Sequence, residues 1–279
     1  MNETEQVKIQ QKIWADRNGI DLDQDNYVKK MRENFFLPLS GDTIRDLKSG
    51  DGAEFKGEKT RTKIFATHSS SALVCNVFEY WRYRNKSVLA KAMKLGKGIK
   101  TMCFEQKLSM GMKGSMPNLD IFMILEDGEA VAVESKFTEW MSTKTKTALF
   151  AESYFKGRAK RWSDVGLPNC QKMAEELNKN PHKYQYLNAP QLLKHALGLA
   201  NMHSNRSTLL YLYYDSRDSE LSEIHKNEIR DFRKNIKGEL NFRALTYQNL
   251  FEETRKYSAD LDSEYLEYLG KRYFTYYEI

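Results

Sequence analysis

Cysteine is scarce in this chain and long apolar runs are missing. Three cysteines, Cys75, Cys103 and Cys170, occur in 279 residues. Their odd number and unpaired spacing argue against a disulfide framework and a zinc cluster, and point to a reducing, cytoplasmic setting. No apolar stretch approaches the roughly 20 residues that span a bilayer, so no membrane partner is expected. The opening "MNETEQVKIQQK" is polar and lacks the apolar core of a signal peptide. Internal repeats, low-complexity tracts and a zinc module or recognition helix for reading base edges are likewise not found.

What is present is an ordinary globular composition, with 41% hydrophobic and 29% charged residues. The length suits one large α/β domain or a domain with a helical extension. Lys and Arg number 44 against 38 Asp and Glu, a net charge of +6. That excess fits a nucleic-acid partner without demanding one.

Periodicity divides the chain. Residues 1–60 read as a helical extension: "TEQVKIQQKIWADRNG" stops at Asn-Gly, and a second helix in "DQDNYVKKMRENFFLPL" ends at Pro38. "KSGDGAEFKGEKTRTK" reads as a connector. Over residues 61–279, "THSSSALVCNVFEYWRYR" predicts a capped helix with Ala72, Leu73, Val77, Phe78 and Trp81 at helical spacing. Strands are expected in "IKTMCFEQKLSM", "LDIFMIL", "AVAVESKF", "STLLYLYYD" and "NFRALTYQNLF". Helices are expected in "NAPQLLKHALGLANM", "SELSEIHKNEIRDFRKNI" and the Tyr-rich C-terminus, which reads as packing or a homodimer surface. The expected architecture is a mixed central β-sheet flanked by helices.

One hairpin carries misplaced charge. In "MPNLDIFMILEDGEAVAVESKF", Asp120 interrupts one apolar run and Glu134 and Lys136 interrupt the next. Alternation puts Glu134 and Lys136 on one face of a half-buried strand, which costs several kcal/mol unless they are paired or hold a metal. Whether Asp120 joins them depends on the turn. A two-residue Asp127-Gly128 loop sets Asp120 opposite Ser135, with the carboxylates facing opposite ways. A three-residue Glu126-Asp127-Gly128 loop sets Asp120 opposite Glu134 and puts Gly128 where a positive φ is needed. In the second case the two carboxylates make a hard oxygen site suited to Mg²⁺ or Mn²⁺, with the Ser135 carbonyl as a further ligand and Lys136 placed to serve the attacking water.

"PNLD" (Pro117 to Asp120) followed by "ESK" (Glu134 to Lys136) resembles the PD-(D/E)XK nuclease superfamily, with its restriction-endonuclease-like fold. Asn118 and Leu119 separate the Pro from the Asp, a loosened form of the motif. The resemblance covers a core of about residues 67–215 and implies a metal-dependent nuclease acting on phosphodiester bonds in DNA. It implies that Asp120 and Glu134 hold the metal, with Glu79 or Glu105 supplying an extra carboxylate. It further implies that a polar residue of the "NAPQLLKHALGL" helix faces the active centre, where Gln191 matches better than His195. A catalytically silent nucleic-acid-binding protein on the same fold is the alternative.

A final cluster is basic. Lys144, Lys146, Lys156, Arg158, Lys160 and Arg161 alternate with Tyr154, Phe155 and Trp162. Cations that displace counterions from phosphates, beside rings able to stack, form the expected footprint for nucleic acid.

Overall fold

The computed structural model describes residues 2–50, 54–57, 61–111, 116–143, 150–155, 161–203, 207–216, 219–257 and 263–275. The five apolar runs form one five-stranded sheet: β1 (Ile99–Lys107), β2 (Asn118–Leu125), β3 (Ala130–Lys136), β4 (Ser207–Tyr213) and β5 (Asn241–Thr246), laid side by side in chain order. β1, β2 and β3 pair antiparallel, whereas β4 and β5 add on in parallel. Every residue of β4, and all of β3 except Lys136, is buried, as continuous Ala/Val and Leu/Tyr runs predict for central strands.

Parallel pairing requires long crossovers. Between β3 and β4 the chain forms α5 (Arg161–Asp164), α6 (Pro168–Lys179) and α7 (Ala189–His203). Between β4 and β5 it forms α8 (Glu220–Asn235). Ahead of the sheet lie α1 (Glu3–Arg17), α2 (Gly41–Ser49), α3 (Ser70–Phe78) and α4 (Ser87–Ala92); α9 (Tyr247–Lys256) and α10 (Ser263–Leu269) follow it. Among the described residues no helix is long and apolar enough to cross a membrane.

Helix α3 starts where Ser69 accepts the Ala72 N–H, and residues 71–78 are buried all round because the helix runs through the core against β2 and β3. The N-terminal segment is tied to the far end of the chain. Arg272, 1% exposed, donates to Gln11 Oε1 (3.0 Å), the Asn34 carbonyl (2.8 Å) and Tyr268 Oη (2.5 Å). Its guanidinium also stacks 4.2 Å from the Trp14 ring centroid. A buried cation held by neutral acceptors and a ring joins α1 to the C-terminal turn.

Two expectations need correction. The segment ending at Pro38 is mostly turns and bends, with isolated bridges at Tyr27 and Val28 and a 3₁₀ turn at Met31–Asn34. Buried Asn34 donates to the carbonyls of Ile64 and Ala66, and the Phe36 N–H goes to Asn76 Oδ1, so side chains take up hydrogen bonding that a helix would otherwise supply. "NFRALTYQNLF" is not strand throughout: β5 ends at Thr246, whose hydroxyl caps α9 by accepting the Asn249 N–H.

Candidate active site

The β2–β3 turn is the three-residue form. Leu125 donates to the Glu129 carbonyl at 2.8 Å, Gly128 donates back to Leu125 at 3.0 Å, and Gly128 has φ +86°. The resulting register pairs Ile121 with Val133 and Ile124 with Ala130, which puts Asp120 at the position opposite Glu134. Backbone pairing stops at Ile121–Val133. Beyond it the Asp120 carboxylate itself accepts the Ser135 N–H at 2.6 Å.

Glu134 is 1% exposed, and both its oxygens are held. Lys136 pairs with Oε1, and His195 Nε2, on α7, lies 2.8 Å from Oε2. An ionised carboxylate can only accept, so the Nε2 of His195 carries the shared proton. Burial opposes ionisation of Glu134, but Lys136 and then His195 outweigh it and hold its pKa below the ordinary value. Burial likewise works against the Lys136 cation, and Glu134, Asp120 and Glu139 more than compensate, raising its pKa. Asp120 behaves in the opposite way. Part of it reaches solvent, yet dense surroundings, then Glu134 and Glu105, push its pKa well above the usual carboxylate range. The site thus crowds negative charge and compensates it within the chain mainly through Lys136.

Glu105 falls between the pairs Phe104–Ile121 and Gln106–Leu119, which sets it across from Asp120. The row Glu105, Asp120, Glu134 therefore runs across three adjacent strands. Glu105 is 8% exposed and has φ +50°, a left-handed conformation that is strained for a residue with a side chain. Its carboxylate lies against Gly50, where any Cβ would collide with it.

Glu79 is engaged elsewhere. α3 gives way to a 3₁₀ turn at Glu79–Trp81, and the carboxylate accepts from the Ser40 N–H (2.8 Å) and the Thr43 hydroxyl (2.5 Å), fastening the start of α2. Both Glu79 oxygens are occupied there. The hydroxyl of Ser135 is bonded to Tyr247 at 2.6 Å, which leaves its carbonyl as the group in question for a metal. Gln191 and Lys136 line the same cleft, of about 120 Å³, and Gln191 Oε1 accepts from Asn188 at 2.9 Å. Of the basic cluster, Lys144, Lys146, Lys156, Arg158 and Lys160 lie outside the described residues. Arg161 opens α5 and is half-buried, with no hydrogen-bond partner for its Nε among the described residues.

His195, the weaker match on this helix, is the one that is fully buried and meets Glu134. Its signal was present in its spacing from Gln191 on one helix face. Glu54 was passed over inside the Gly-rich connector. It is 5% exposed, burial raises its pKa, and its Oε2 has no partner among the described residues. The Cys75 thiol of α3 lies within this acidic surround: burial, then Glu79, Glu54, Glu105 and Asp120, hold its pKa far up. Even so, among the described residues no three His, Cys, Asp or Glu side chains are arranged to hold a metal ion.

A mixed sheet bearing Asp, Glu and Lys at one end of a β2–β3 hairpin, with a helical crossover covering them, is a restriction-endonuclease-like architecture. Residues 4–274 match the model of the family described as "Restriction Endonuclease associating with ARP", and the chain belongs to that family, within the PD-(D/E)XK superfamily. Comparisons with curated proteins and with solved structures found no match.

Proposed function

We propose that the chain is a metal-dependent nuclease that hydrolyses phosphodiester bonds in DNA. The observation that carries this reading is the register that sets Asp120 opposite Glu134, with Lys136 paired to Glu134, in a chain of a restriction-endonuclease-like family. Asp120 and Glu134 would hold Mg²⁺ or Mn²⁺, with the Ser135 carbonyl and Glu105 as further oxygen donors. The donor chemistry fits: Mg²⁺ is commonly held by one or two carboxylates with water in the remaining positions, so a complete protein cage is not required. The raised pKa of Asp120 marks a place where added positive charge is favourable. When bound, the ion supplies a water of lowered pKa and neutralises charge on the phosphoryl oxygens.

The remaining chemistry belongs to the chain. Lys136 donates hydrogen bonds to the reacting phosphate and orients the incoming water, while its pairing with Glu134 keeps the ammonium charged. Gln191 lines the same cleft and offers an amide to substrate oxygens. The silent-binder alternative draws support from the complete internal pairing of Glu134. The family's description extends to a partner proposal, association with ARP.

Incubation of supercoiled and single-stranded DNA with Mg²⁺, Mn²⁺ or EDTA tests the reading, with Lys136→Ala alongside wild type. Metal-dependent cutting that disappears in the variant supports it. Salt-sensitive binding without cutting would support the silent binder, and cutting that survives in Lys136→Ala would move the active site elsewhere.

A further inference from the structure

The cleft beside Lys136 is walled by carboxamides and rings. Gln185, Asn188 and Gln191 contribute amides, and Trp140, Tyr186 and Tyr211 contribute aromatic surface. Among the described residues Lys136 is the one Lys or Arg that lines it, and Glu139 adds a carboxylate. A row of phosphates needs only donors and positive charge, whereas three carboxamides bring acceptors as well. Carboxamides offer a donor and an acceptor side by side, the pattern that matches the edge of a nucleobase, and aromatic walls suit its faces.

The loop that supplies these amides is held in place with unusual thoroughness. Glu228 of α8, 8% exposed, accepts three successive backbone N–H groups: Gln185 at 2.6 Å, Tyr186 at 3.0 Å and Leu187 at 2.7 Å. Tyr184 adds a 2.6 Å bond to Asp231 of the same helix. The backbone is thereby fixed while amide groups on its side chains are left over. The Gln185 carboxamide makes no hydrogen bond among the described residues, and Asn188 donates to Gln191 with its Oδ1 left over. Rigid backbone presenting unused amides into a cleft is the arrangement of a preorganised recognition site.

We propose that this cleft receives a nucleobase of the nucleotide flanking the phosphodiester bond at Lys136, with Gln185 and Asn188 reading its edge and Glu228 as the positioning residue for their loop. This rests on the nuclease reading above and adds base preference to it. Phosphate contacts set affinity for any sequence; the amide cleft sets which base sits beside the cut.

The test uses the full chain and a pool of DNA duplexes and single strands randomised at every position. Bound molecules are sequenced after selection in EDTA, and cleaved ends after reaction in Mg²⁺. Wild type is expected to favour one base at one position by about 10-fold, the discrimination of one good amide–base pair. Gln185→Ala, at an exposed position, and Gln185→Ala/Asn188→Ala should flatten that preference while average affinity changes far less. Glu228→Gln should blur it. If the double variant fails to fold, the single variant decides. Wild-type cutting or binding with no base preference, or a preference undiminished in Gln185→Ala, overturns the proposal. Cutting without preference leaves the nuclease reading standing, selective binding without cutting leaves the cleft standing, and no DNA binding at all ends both.

Discussion

His195 Nε2 lies 2.8 Å from Glu134 Oε2, and both side chains are closed off from solvent. The imidazole on α7 fixes one oxygen of Glu134 while Lys136 fixes the other. His195→Ala should weaken Mn²⁺ binding about 10-fold, the scale seen when a group that orients a metal ligand is removed. It should also cost about 2 kcal/mol of stability by leaving a buried acceptor unpaired. His195→Gln keeps a donor on a side chain of similar reach and should restore most of both. Calorimetric Mn²⁺ titration beside urea melts measures the two effects separately. Unchanged Mn²⁺ affinity in His195→Ala would show that the pair is structural alone.

Lys136→Ala breaks an ion pair whose side chains are 15% and 2% exposed. Removing one partner of such a pair costs about 3 kcal/mol, because the other charge stays buried. On the proposed function, DNA cleavage should also fall about 100-fold or more. Single-turnover cleavage, below the lowered melting temperature, tests the second effect independently of the first.

Glu79→Gln should leave cleavage nearly untouched. Its carboxylate fastens Ser40 and Thr43 at the start of α2, and an amide keeps only part of that bonding. A loss of about 1–2 kcal/mol is expected in urea melts. A large drop in cleavage from a folded Glu79→Gln protein would return Glu79 to the active centre.

Arg272→Ala removes the buried cation between α1 and the C-terminal turn, leaving Gln11, Asn34 and Tyr268 without their donor. The expected cost is about 3–5 kcal/mol, at roughly 1–2 kcal/mol for each buried acceptor left without a donor. Hydrogen exchange should show the loss first in residues 3–17, since this contact is one of those that tie α1 to the C-terminal turn. Uniform loss across the sheet would instead assign Arg272 to the global core.

His225 sets a pH limit. It is fully buried, stacked 4.0 Å from the Trp140 ring, and burial, then Lys226, holds its pKa down to about 3. Between that value and its ordinary 6.5, the unfolded chain binds a proton that the folded protein does not. Stability is therefore level with respect to this group above pH 6.5 and falls as pH drops toward 3, by at most about 5 kcal/mol. His225→Phe should flatten the pH dependence of the urea midpoint across that window. An equally steep dependence in the variant would assign the acid sensitivity to other groups.

The hairpin was legible to the level of two alternatives. Gly128 after Glu126-Asp127 allowed either turn, and the left-handed φ of Gly128 belongs to the one that brings Asp120 and Glu134 together. Gln191 was legible as a polar position on an amphipathic helix. His195 was misjudged because a helix sequence shows which residues share a face but not whether a second face is also covered. Here α7 packs on β3, β4 and α6, which buries His195 against Glu134 while Gln191 and Lys194 stay half-buried. Glu79, one of two candidates for an extra carboxylate, opens a 3₁₀ turn after Phe78 and bonds to Ser40 and Thr43 at the start of α2, contacts that no local pattern shows.

By itself the sequence determined the five strands, helices α3, α7 and α8 and the hairpin charges, because alternation, helical period and Gly punctuation act over neighbouring residues. Tertiary structure decided which buried polar groups meet. Glu134 meets His195 across 61 positions of chain and Gln11 meets Arg272 across 261, through packing that no local pattern encodes.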